Sequence, residues 1–150
     1  MTEFNPLLLE NQLCFPLYAV SKEVVRSYGP LLKELGLTYT QYIAMMVLWE
    51  EEKVTIKHLG ERLYLDSGTL TPLVKKLEEK GYVERRRMPQ DERAVEVRIT
   101  KTGKKLHEKA VSVPYAMASC IKLEPDEALV LRKLLDKVLD HLRTGNGENG

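Results

Sequence analysis

A chain of 150 residues with 43% hydrophobic residues can bury one ordinary core, which excludes wholesale disorder, and its net charge is only +1. No run of 18 apolar residues occurs, and the amino terminus lacks a basic region followed by an apolar stretch. We therefore expect a cytoplasmic protein with no membrane partner and no signal peptide. Two cysteines are too few for a disulfide framework or a structural zinc site, and the three histidines share no ligand spacing, so we predict neither a metal nor a cofactor.

The charge is unevenly distributed along the chain. Residues 75–109 hold twelve Lys and Arg against seven Asp and Glu, a local balance of +5, which leaves −4 for the rest. A nucleic-acid backbone responds to such a local concentration of positive charge. A solvated charged face has the same composition, so charge alone leaves both interpretations open.

The amino-terminal part is predicted to be helical. An apolar face spaced for a helix runs over residues 12–28, and Gly29-Pro30 is expected to end that helix. A turn of helix at 31–35 precedes Gly36. A strongly apolar helix, capped by Thr38 or Thr40, then runs to about Glu52.

Two helices joined by a tight turn follow. Thr55 is expected to cap a short helix, Tyr64-Leu65 forms the turn, and Asp66 or Ser67 caps a further helix that ends near Lys80. The second helix has an inward apolar face formed by Leu70, Leu73, Val74 and Leu77. Pro72 lies inside this helix and removes one hydrogen bond, which either displaces the start of the helix or bends its first turns.

The hydrophobic period then becomes alternating. Residues 82–87 and 94–99 are predicted as two strands joined by a polar loop over 88–93. A helix from Thr100 is expected to break at Pro114, Pro125 opens the last helix, and the Gly- and Asn-rich residues 144–150 are expected to form a flexible tail. The order predicts a single domain over 1–150, mainly α with a small β-hairpin wing (α+β). Residues 38–100 form a winged helix-turn-helix flanked by helices at both ends.

The chemistry of the second helix and the hairpin favours DNA binding. Hydroxyl and ammonium groups that suit base edges and phosphates lie on the outward helix face: Ser67, Thr69, Thr71, Lys75 and Lys76. The hairpin adds arginines that suit a narrow minor groove: Arg85, Arg86, Arg87 and Arg93. Each residue alone is more often a solvated surface residue, but the ordered set predicts a DNA-binding regulator.

The run from Tyr64 to Glu78, Tyr-Leu-Asp-Ser-Gly-Thr-Leu-Thr-Pro-Leu-Val-Lys-Lys-Leu-Glu, is followed by Gly81 and Asp91-Glu92-Arg93. It resembles the MarR family of repressors and, more narrowly, the organic hydroperoxide resistance regulators, over residues 9 to about 142. The resemblance implies a homodimer in which dimerisation helices over 12–36 and 101–143 interleave, and which presents two recognition helices to a pseudo-palindromic operator. It also implies DNA contacts from Asp66, Ser67, Thr69, Thr71 and Lys75 or Lys76, with Arg93 at the wing tip.

Cys14 is a candidate redox-sensing residue. With Asn11 as a predicted cap and Pro16 in the first turn, it lies near the positive end of the first helix, which stabilises the thiolate that attacks peroxides. Tyr18 follows four residues later on the same face. Tyr28 lies fourteen residues later, about 21 Å along a continuous helix, so it meets a Cys14 only across a dimer. An inert core cysteine is the alternative.

The resemblance implies which groups complete the sensor. Tyr28 and Tyr39 of the partner subunit, with Tyr18 close by, would donate hydrogen bonds to Cys14. Cys120 would be the resolving cysteine of an intersubunit disulfide, unless a small cellular thiol caps the sulfenate instead. The predicted function is a transcriptional repressor that senses organic hydroperoxides by oxidation of Cys14 and releases its operator.

Two alternatives stay open from the residues. A MarR-type repressor could respond to a non-covalent aromatic or fatty-acid ligand, held in a pocket lined by Tyr18, Tyr28, Tyr39, Met45 and Trp49. A thiol peroxidase would use Cys14 as its catalyst. No basic catalytic set surrounds Cys14, and a peroxidase needs no basic hairpin, so we predict a protein that is not an enzyme and has no catalytic residues.

Overall fold

Residues 3–148 are described in this computed structural model, without the side chains of residues 92, 93 and 146–148. The helices of this part of the chain are α1 Cys14–Leu32, α2 Tyr39–Glu51, α3 Ile56–Leu63, α4 Ser67–Glu79, α5 Lys101–Ala110, α6 Ser112–Ile121 and α7 Pro125–Glu148. The strands are β1 Lys53–Thr55, β2 Val83–Met88 and β3 Asp91–Ile99, and two 3-10 turns span Leu9–Asn11 and Lys33–Leu35. This order confirms the predicted winged helix-turn-helix with helices at both ends.

Side-chain caps fix the starts of four consecutive helices. The predicted residues accept hydrogen bonds from backbone N–H groups in the first turn of α2, α3, α4 and α5: Thr38 from Gln41, Thr55 from His58, Asp66 from Thr69, and Thr100 from Gly103. Such caps satisfy N–H groups that have no partner inside the helix. The structure thereby decides between the predicted alternatives in favour of Thr38 and Asp66.

Helix α1 differs from its prediction at both ends. It passes through Gly29 and Pro30 and continues to Leu32, so the predicted end at Gly29-Pro30 is wrong. Both residues are exposed, which leaves the carbonyl group freed by Pro30 open to water, and the buried Leu32 anchors the last turn in the core. Asn11 is not the cap, because Leu13 occupies the cap position of α1 and no side chain caps that helix; the Asn11 side-chain amide instead donates to the Asn5 carbonyl at 2.7 Å.

The sheet contains a strand that the sequence analysis missed. Its order is β1-β3-β2, and both neighbouring pairs are antiparallel. Strand β1 has only three residues and pairs Val54 with Val97. Strand β2 has the predicted length but begins one residue later, and β3 is longer than predicted, since it begins at Asp91 and leaves only Pro89 and Gln90 between the strands. A three-residue strand has too little local pattern to be found without its partner.

The core lies between the helix-turn-helix and the base of the wing. The predicted inward face of α4 is confirmed, since Leu70, Leu73, Val74 and Leu77 are all buried. They belong to one cluster with Leu48, Leu59, Val83 and Val97. Burial of this face fixes which face of α4 is turned outward.

The carboxy-terminal helices correct one further prediction. The break between α5 and α6 falls at Val111, while Pro114 is the third residue of α6, where a proline nitrogen needs no hydrogen. Residues 144–148 belong to α7, and Thr144 Oγ1 donates to the Asp140 carbonyl at 2.7 Å within this helix; the flexibility expected of the tail stays a prediction. Residues 149 and 150 lie outside the described residues.

The chain divides into two compact units, residues 1–117 and 118–150. The first contains the helix-turn-helix and wing, and the second consists of the end of α6 and all of α7. The single domain predicted for 1–150 stays a prediction. Within the described residues, each helix is too short or too polar to span a membrane.

Candidate functional site

The amino end of α4 is organised by Asp66. Its Oδ1 accepts the Thr69 backbone N–H at 2.7 Å. Hydrogen bonds from the Thr69 backbone and hydroxyl hold the pKa of the Asp66 carboxyl below its ordinary value. Asp66 is therefore ionised at neutral pH and already serves as the helix cap.

The outward face of α4 carries the predicted contact residues. Ser67, Thr69, Thr71, Lys75 and Lys76 are all exposed. The Thr71 hydroxyl donates to the Ser67 carbonyl at 2.8 Å, so its hydrogen is used within the helix. Pro72 does not displace the start of α4, since the helix runs unbroken from Ser67 to Glu79.

Arg85 joins the wing to the recognition helix. Its backbone N–H donates to Glu78 Oε2 at 3.0 Å, and its Nε donates to Glu78 Oε1 at 3.1 Å. These side-chain and backbone hydrogen bonds hold the pKa of the Glu78 carboxyl below its ordinary value. The sequence analysis predicted Arg85 as a DNA contact and missed Glu78, although the two residues lie at the ends of adjoining elements. The DNA role of Arg85 stays a prediction.

The remaining wing arginines differ in their surroundings. Arg86 is exposed and lies 4.0 Å from a carboxylate oxygen of Glu84, and Arg87 is exposed on the same strand. The side chain of Arg93 lies outside the described residues. Arg86 and Arg87 thus lie on the surface of the hairpin.

A charged cluster braces the helix-turn-helix and was missed from the sequence. Arg62 on α3 donates to Glu51 at 2.7 Å and to Glu50 at 2.9 Å, both at the end of α2. His58 Nε2 lies 3.0 Å from Glu51 Oε1. The spacing of these residues along the chain gives no sign of the pairing, which depends on how α3 packs against α2.

Cys14 is the first residue of α1 and is exposed. Pro16 is the third helical residue, so it fits the first turn without loss of a helical hydrogen bond. Tyr28 lies on the same unbroken helix, about 21 Å away along its axis. Within one chain the structure therefore separates Cys14 from Tyr28, as predicted.

The structure brings Tyr28 and Tyr39 together. Their ring centroids lie 4.8 Å apart, and both pack against Tyr42, whose ring lies 5.7 Å from Tyr28 and 6.4 Å from Tyr39. Burial, and then the neighbouring phenols, raise the pKa of the Tyr28 phenol above its ordinary value. The Tyr28 phenol is therefore a protonated hydrogen-bond donor at neutral pH. Tyr42 was missed; its spacing of three residues from Tyr39 on α2 is the signal that could have found it.

Tyr18 lies apart from this tyrosine cluster. It is 60% exposed, and Lys22 lies above its ring at 5.0 Å while the Lys22 ammonium group donates to its hydroxyl at 3.5 Å. Lys22 was also not predicted from the sequence.

An open groove of about 530 Å³ adjoins the start of α1. Its lining comes from residues on both sides of Cys14 in the chain: Leu8, Leu9, Glu10, Gln12, Phe15 and Pro16. Gln12 holds the preceding segment in place, because its Nε2 donates to the carbonyls of Pro6 at 2.6 Å and Leu8 at 2.8 Å.

The residues predicted to line a pocket for a non-covalent ligand are partly packed against one another. Met45 is fully buried, and the ring of Tyr42, a member of the tyrosine cluster, lies 6.4 Å from that of Trp49. The ligand pocket stays a prediction. Cys120 is exposed near the end of α6 and belongs to the second unit. In the described part of the chain, no three His, Cys, Asp or Glu residues are grouped to hold a metal ion.

Comparisons with known proteins agree with this arrangement. A family model described as the transcriptional regulator SarA/Rot matches residues 26–110. The chain is 44% identical over 144 residues to the organic hydroperoxide resistance transcriptional regulator of Bacillus subtilis (strain 168), which covers 96% of this chain and 98% of that protein.

Solved structures are similar over most of the length. Reduced AbfR bound to DNA is 40% identical with a TM-score of 0.74, over 89% of this chain and 94% of that chain. Disulfide-formed AbfR is 38% identical with a TM-score of 0.66, over 89% of this chain and 91% of that chain. AbfR is a protein of Staphylococcus epidermidis.

Proposed function

We propose, from the premise that this chain belongs to the MarR family of transcriptional regulators and to its organic hydroperoxide resistance group, that it is a peroxide-releasable repressor. In this proposal a homodimer binds a pseudo-palindromic operator when Cys14 is reduced, and organic hydroperoxides oxidise Cys14 and cause release. The single observation that carries the proposal is the exposed Cys14 sulfur at the first residue of α1.

The chemistry begins with the Cys14 thiolate. It attacks the terminal oxygen of an organic hydroperoxide, so that an S–O bond forms, the O–O bond breaks and the alkoxide leaves as an alcohol after protonation. The sulfur loses two electrons and becomes sulfenic acid. A second thiol, from Cys120 of the other subunit or from a small cellular thiol, then attacks this sulfur; a disulfide forms and water leaves.

Dimer formation is supported by apolar surface within each unit. Leu13, which directly precedes α1, is 78% exposed, and Val20 and Val25 on α1 are 57% and 47% exposed. On α7 an apolar stripe is likewise exposed: Leu129, Leu131, Leu134, Leu135, Val138 and Leu142. Exposed stripes of several large apolar side chains are typical of protein–protein interfaces. A second copy of the chain is the partner that we propose for them.

The tyrosine cluster supplies hydrogen-bond donors for the partner's sulfur. Tyr28 lies about 21 Å along α1 from the Cys14 of its own chain, and Tyr39 on α2 packs against Tyr28, so in this proposal both serve the Cys14 of the other subunit. Their hydroxyl groups donate hydrogen bonds that stabilise a thiolate and then a sulfenate oxygen. The new oxygen atom takes up space beside these rings, which displaces them.

The groove beside α1 supports the proposal that the oxidant is an organic hydroperoxide. Leu8, Leu9, Phe15 and Pro16 give it mainly apolar walls, which suit the hydrocarbon part of an alkyl hydroperoxide. Hydrogen peroxide has no such part and gains nothing from these contacts.

A chain of contacts links the tyrosine cluster to the recognition helix. Lys80, which follows α4, donates to the Gly36 carbonyl and, at 3.3 Å, to Gln41 Oε1. The Tyr82 hydroxyl donates to the Leu35 carbonyl at 3.4 Å. The segment 35–41 also carries Tyr39, so a displacement of this tyrosine is passed to the end of α4.

The proposal is tested by measuring operator affinity with and without cumene hydroperoxide. A duplex selected from a random library by the reduced protein serves as the operator, and the variants are C14S and C120S. We expect the oxidised wild type to bind several hundred-fold more weakly, which corresponds to about 3–4 kcal/mol. C14S should bind normally and ignore the peroxide.

Cys120 separates the two thiol routes. If Cys120 resolves the sulfenate, the C120S variant forms no disulfide-linked dimer on a non-reducing gel and its recovery after oxidation differs from that of the wild type. C14S that releases DNA with peroxide as readily as the wild type would refute the sensing mechanism. A C14S variant that still responds to an apolar carboxylate would instead favour the non-covalent ligand.

A further inference from the structure

The outermost line of α4 includes two residues of types that a helix interior ordinarily avoids. At 100° per residue, Gly68 and Pro72 each lie within about 30° of the direction opposite the buried face of Leu70, Leu73, Val74 and Leu77. Both residues are exposed and fall in the first two turns, the half of a recognition helix that enters the major groove. Gly costs about 1 kcal/mol and Pro about 3 kcal/mol in a helix interior relative to Ala.

Packing does not require either residue. A Cβ atom built on Gly68 meets only Asp66 Oδ1, at 3.4 Å, which is an ordinary contact. The φ angle of Gly68 is not positive, so an alanine fits its backbone. Residues that lower helix stability without a structural need mark a surface that serves another purpose.

The two residues also create an unusual pair of chemical groups. Proline has no N–H, so the Gly68 carbonyl lacks the hydrogen bond that residue 72 would otherwise donate to it. The missing side chain at Gly68 lets a base edge approach this carbonyl closely. One turn further along, the Pro72 ring presents an apolar surface.

The polar side chains on the same helix that were predicted to contact bases have fewer free hydrogen-bonding groups than their residue types indicate. Thr71 spends its hydroxyl hydrogen on the Ser67 carbonyl, and Thr69 hydrogen-bonds to Asp66. Lys75 and Lys76 suit phosphates as well as bases. Direct reading of bases by the first two turns therefore falls to groups other than the threonine hydroxyl hydrogens.

We infer that Gly68 and Pro72 form a base-reading pair, an inference that rests on the DNA binding in the proposed function. The Pro72 ring contacts the methyl group of a thymine in the major groove. The Gly68 carbonyl accepts a hydrogen bond from the exocyclic amino group of an adenine or a cytosine on the adjacent base pair.

The test is selection from a library of synthetic duplexes with random base pairs, with sequencing of the bound fraction. The proteins are the reduced wild type, P72A, G68A and, as a matched control, E79A. Glu79 lies on the same outward line but at the last residue of α4. We expect P72A to lose a thymine preference of about fivefold or more at one position in each half-site. E79A should keep every preference.

Thermal unfolding separates recognition from folding. P72A restores a backbone N–H and should melt at or above the wild-type temperature, so its lost preference does not come from a weakened helix. G68A should also fold stably, yet bind the selected duplex about tenfold more weakly, because its methyl group occupies the outermost line.

Two results would overturn the inference. P72A that keeps all wild-type base preferences would show that the ring reads no base, while leaving the repressor proposal intact. Wild-type protein that enriches no sequence at all would remove both the inference and the DNA-binding premise of the proposed function.

Discussion

Replacing Gly60 with alanine introduces one methyl group at the tightest contact of the helix-turn-helix. A Cβ atom there would lie 2.6 Å from the Leu65 carbonyl oxygen and 2.9 Å from Leu70 Cδ1. The Leu65 backbone cannot easily yield, because its N–H donates to the Gly60 carbonyl at 3.1 Å and Asp66 follows it as the cap of α4. Overpacking costs about 1–3 kcal/mol, and the upper half of that range, about 2–3 kcal/mol, applies here because a backbone oxygen cannot move aside as a side chain can; the better helix propensity of alanine offsets about 1 kcal/mol. We expect a net loss of about 1–2 kcal/mol.

Gly68→Ala is the matched control. It makes the same chemical change on the next helix, where the new methyl group would make only an ordinary van der Waals contact. It should gain about 0.5–1 kcal/mol. For a chain of this length each kcal/mol moves the melting temperature by about 2–4 °C, so G60A should melt about 2–8 °C below the wild type and G68A slightly above it. All proteins are compared at one concentration by circular dichroism, because a dimer's melting temperature depends on concentration. G60A that melts at or above the wild type would contradict the packing argument.

Two further predictions concern contacts at the ends of α4. Glu78→Gln should lower stability at pH 7 by about 1 kcal/mol, since the hydrogen bonds to Arg85 are charge-assisted but the pair is about one-third exposed. The folded-state pKa of Glu78 is lowered, so this contribution is complete above about pH 4.5 and is lost as pH falls through the folded value; urea unfolding between pH 3 and 7 should give a flatter acid limb for E78Q. Lys80→Met removes the donor to Gly36 and Gln41, so the peroxide-induced loss of DNA affinity should shrink several-fold while reduced protein still binds. A response undiminished in K80M would argue against that contact as the link.

Local chemistry explains which parts of the fold could be predicted. Thr55 and Asp66 are good caps directly before apolar residues at helical spacing, so the helix-turn-helix was found with its bounds nearly correct. Pro125 in the first helical position identified the start of α7 in the same way.

The errors have a common physical cause in tertiary contacts. Pro30 was expected to end α1, but burial of Leu32 in the core holds the next turn in helical form. Strand β1 forms because it pairs with β3, and its three residues are too few to show a pattern from which that pairing could be predicted.

The candidate site was predictable to a similar extent. Residue type and spacing identified Cys14 and the outward face of α4, since both follow from helix geometry. Glu78, Lys80 and Tyr42 were missed because their roles depend on which elements meet in space. Spacing along the chain does not show which elements contact each other in the fold.

The short strand β1 has a mechanical consequence. It pairs with β3 of the wing and ends at Thr55, which caps α3, while Arg85 ties β2 to Glu78 at the end of α4. The hairpin, the turn and α4 are thus connected both through β1 and through the Arg85–Glu78 contact, and we expect them to move as one rigid unit. Under the proposed function, a signal that reaches this unit changes its distance from the same unit of the second subunit and leaves its base preferences unchanged.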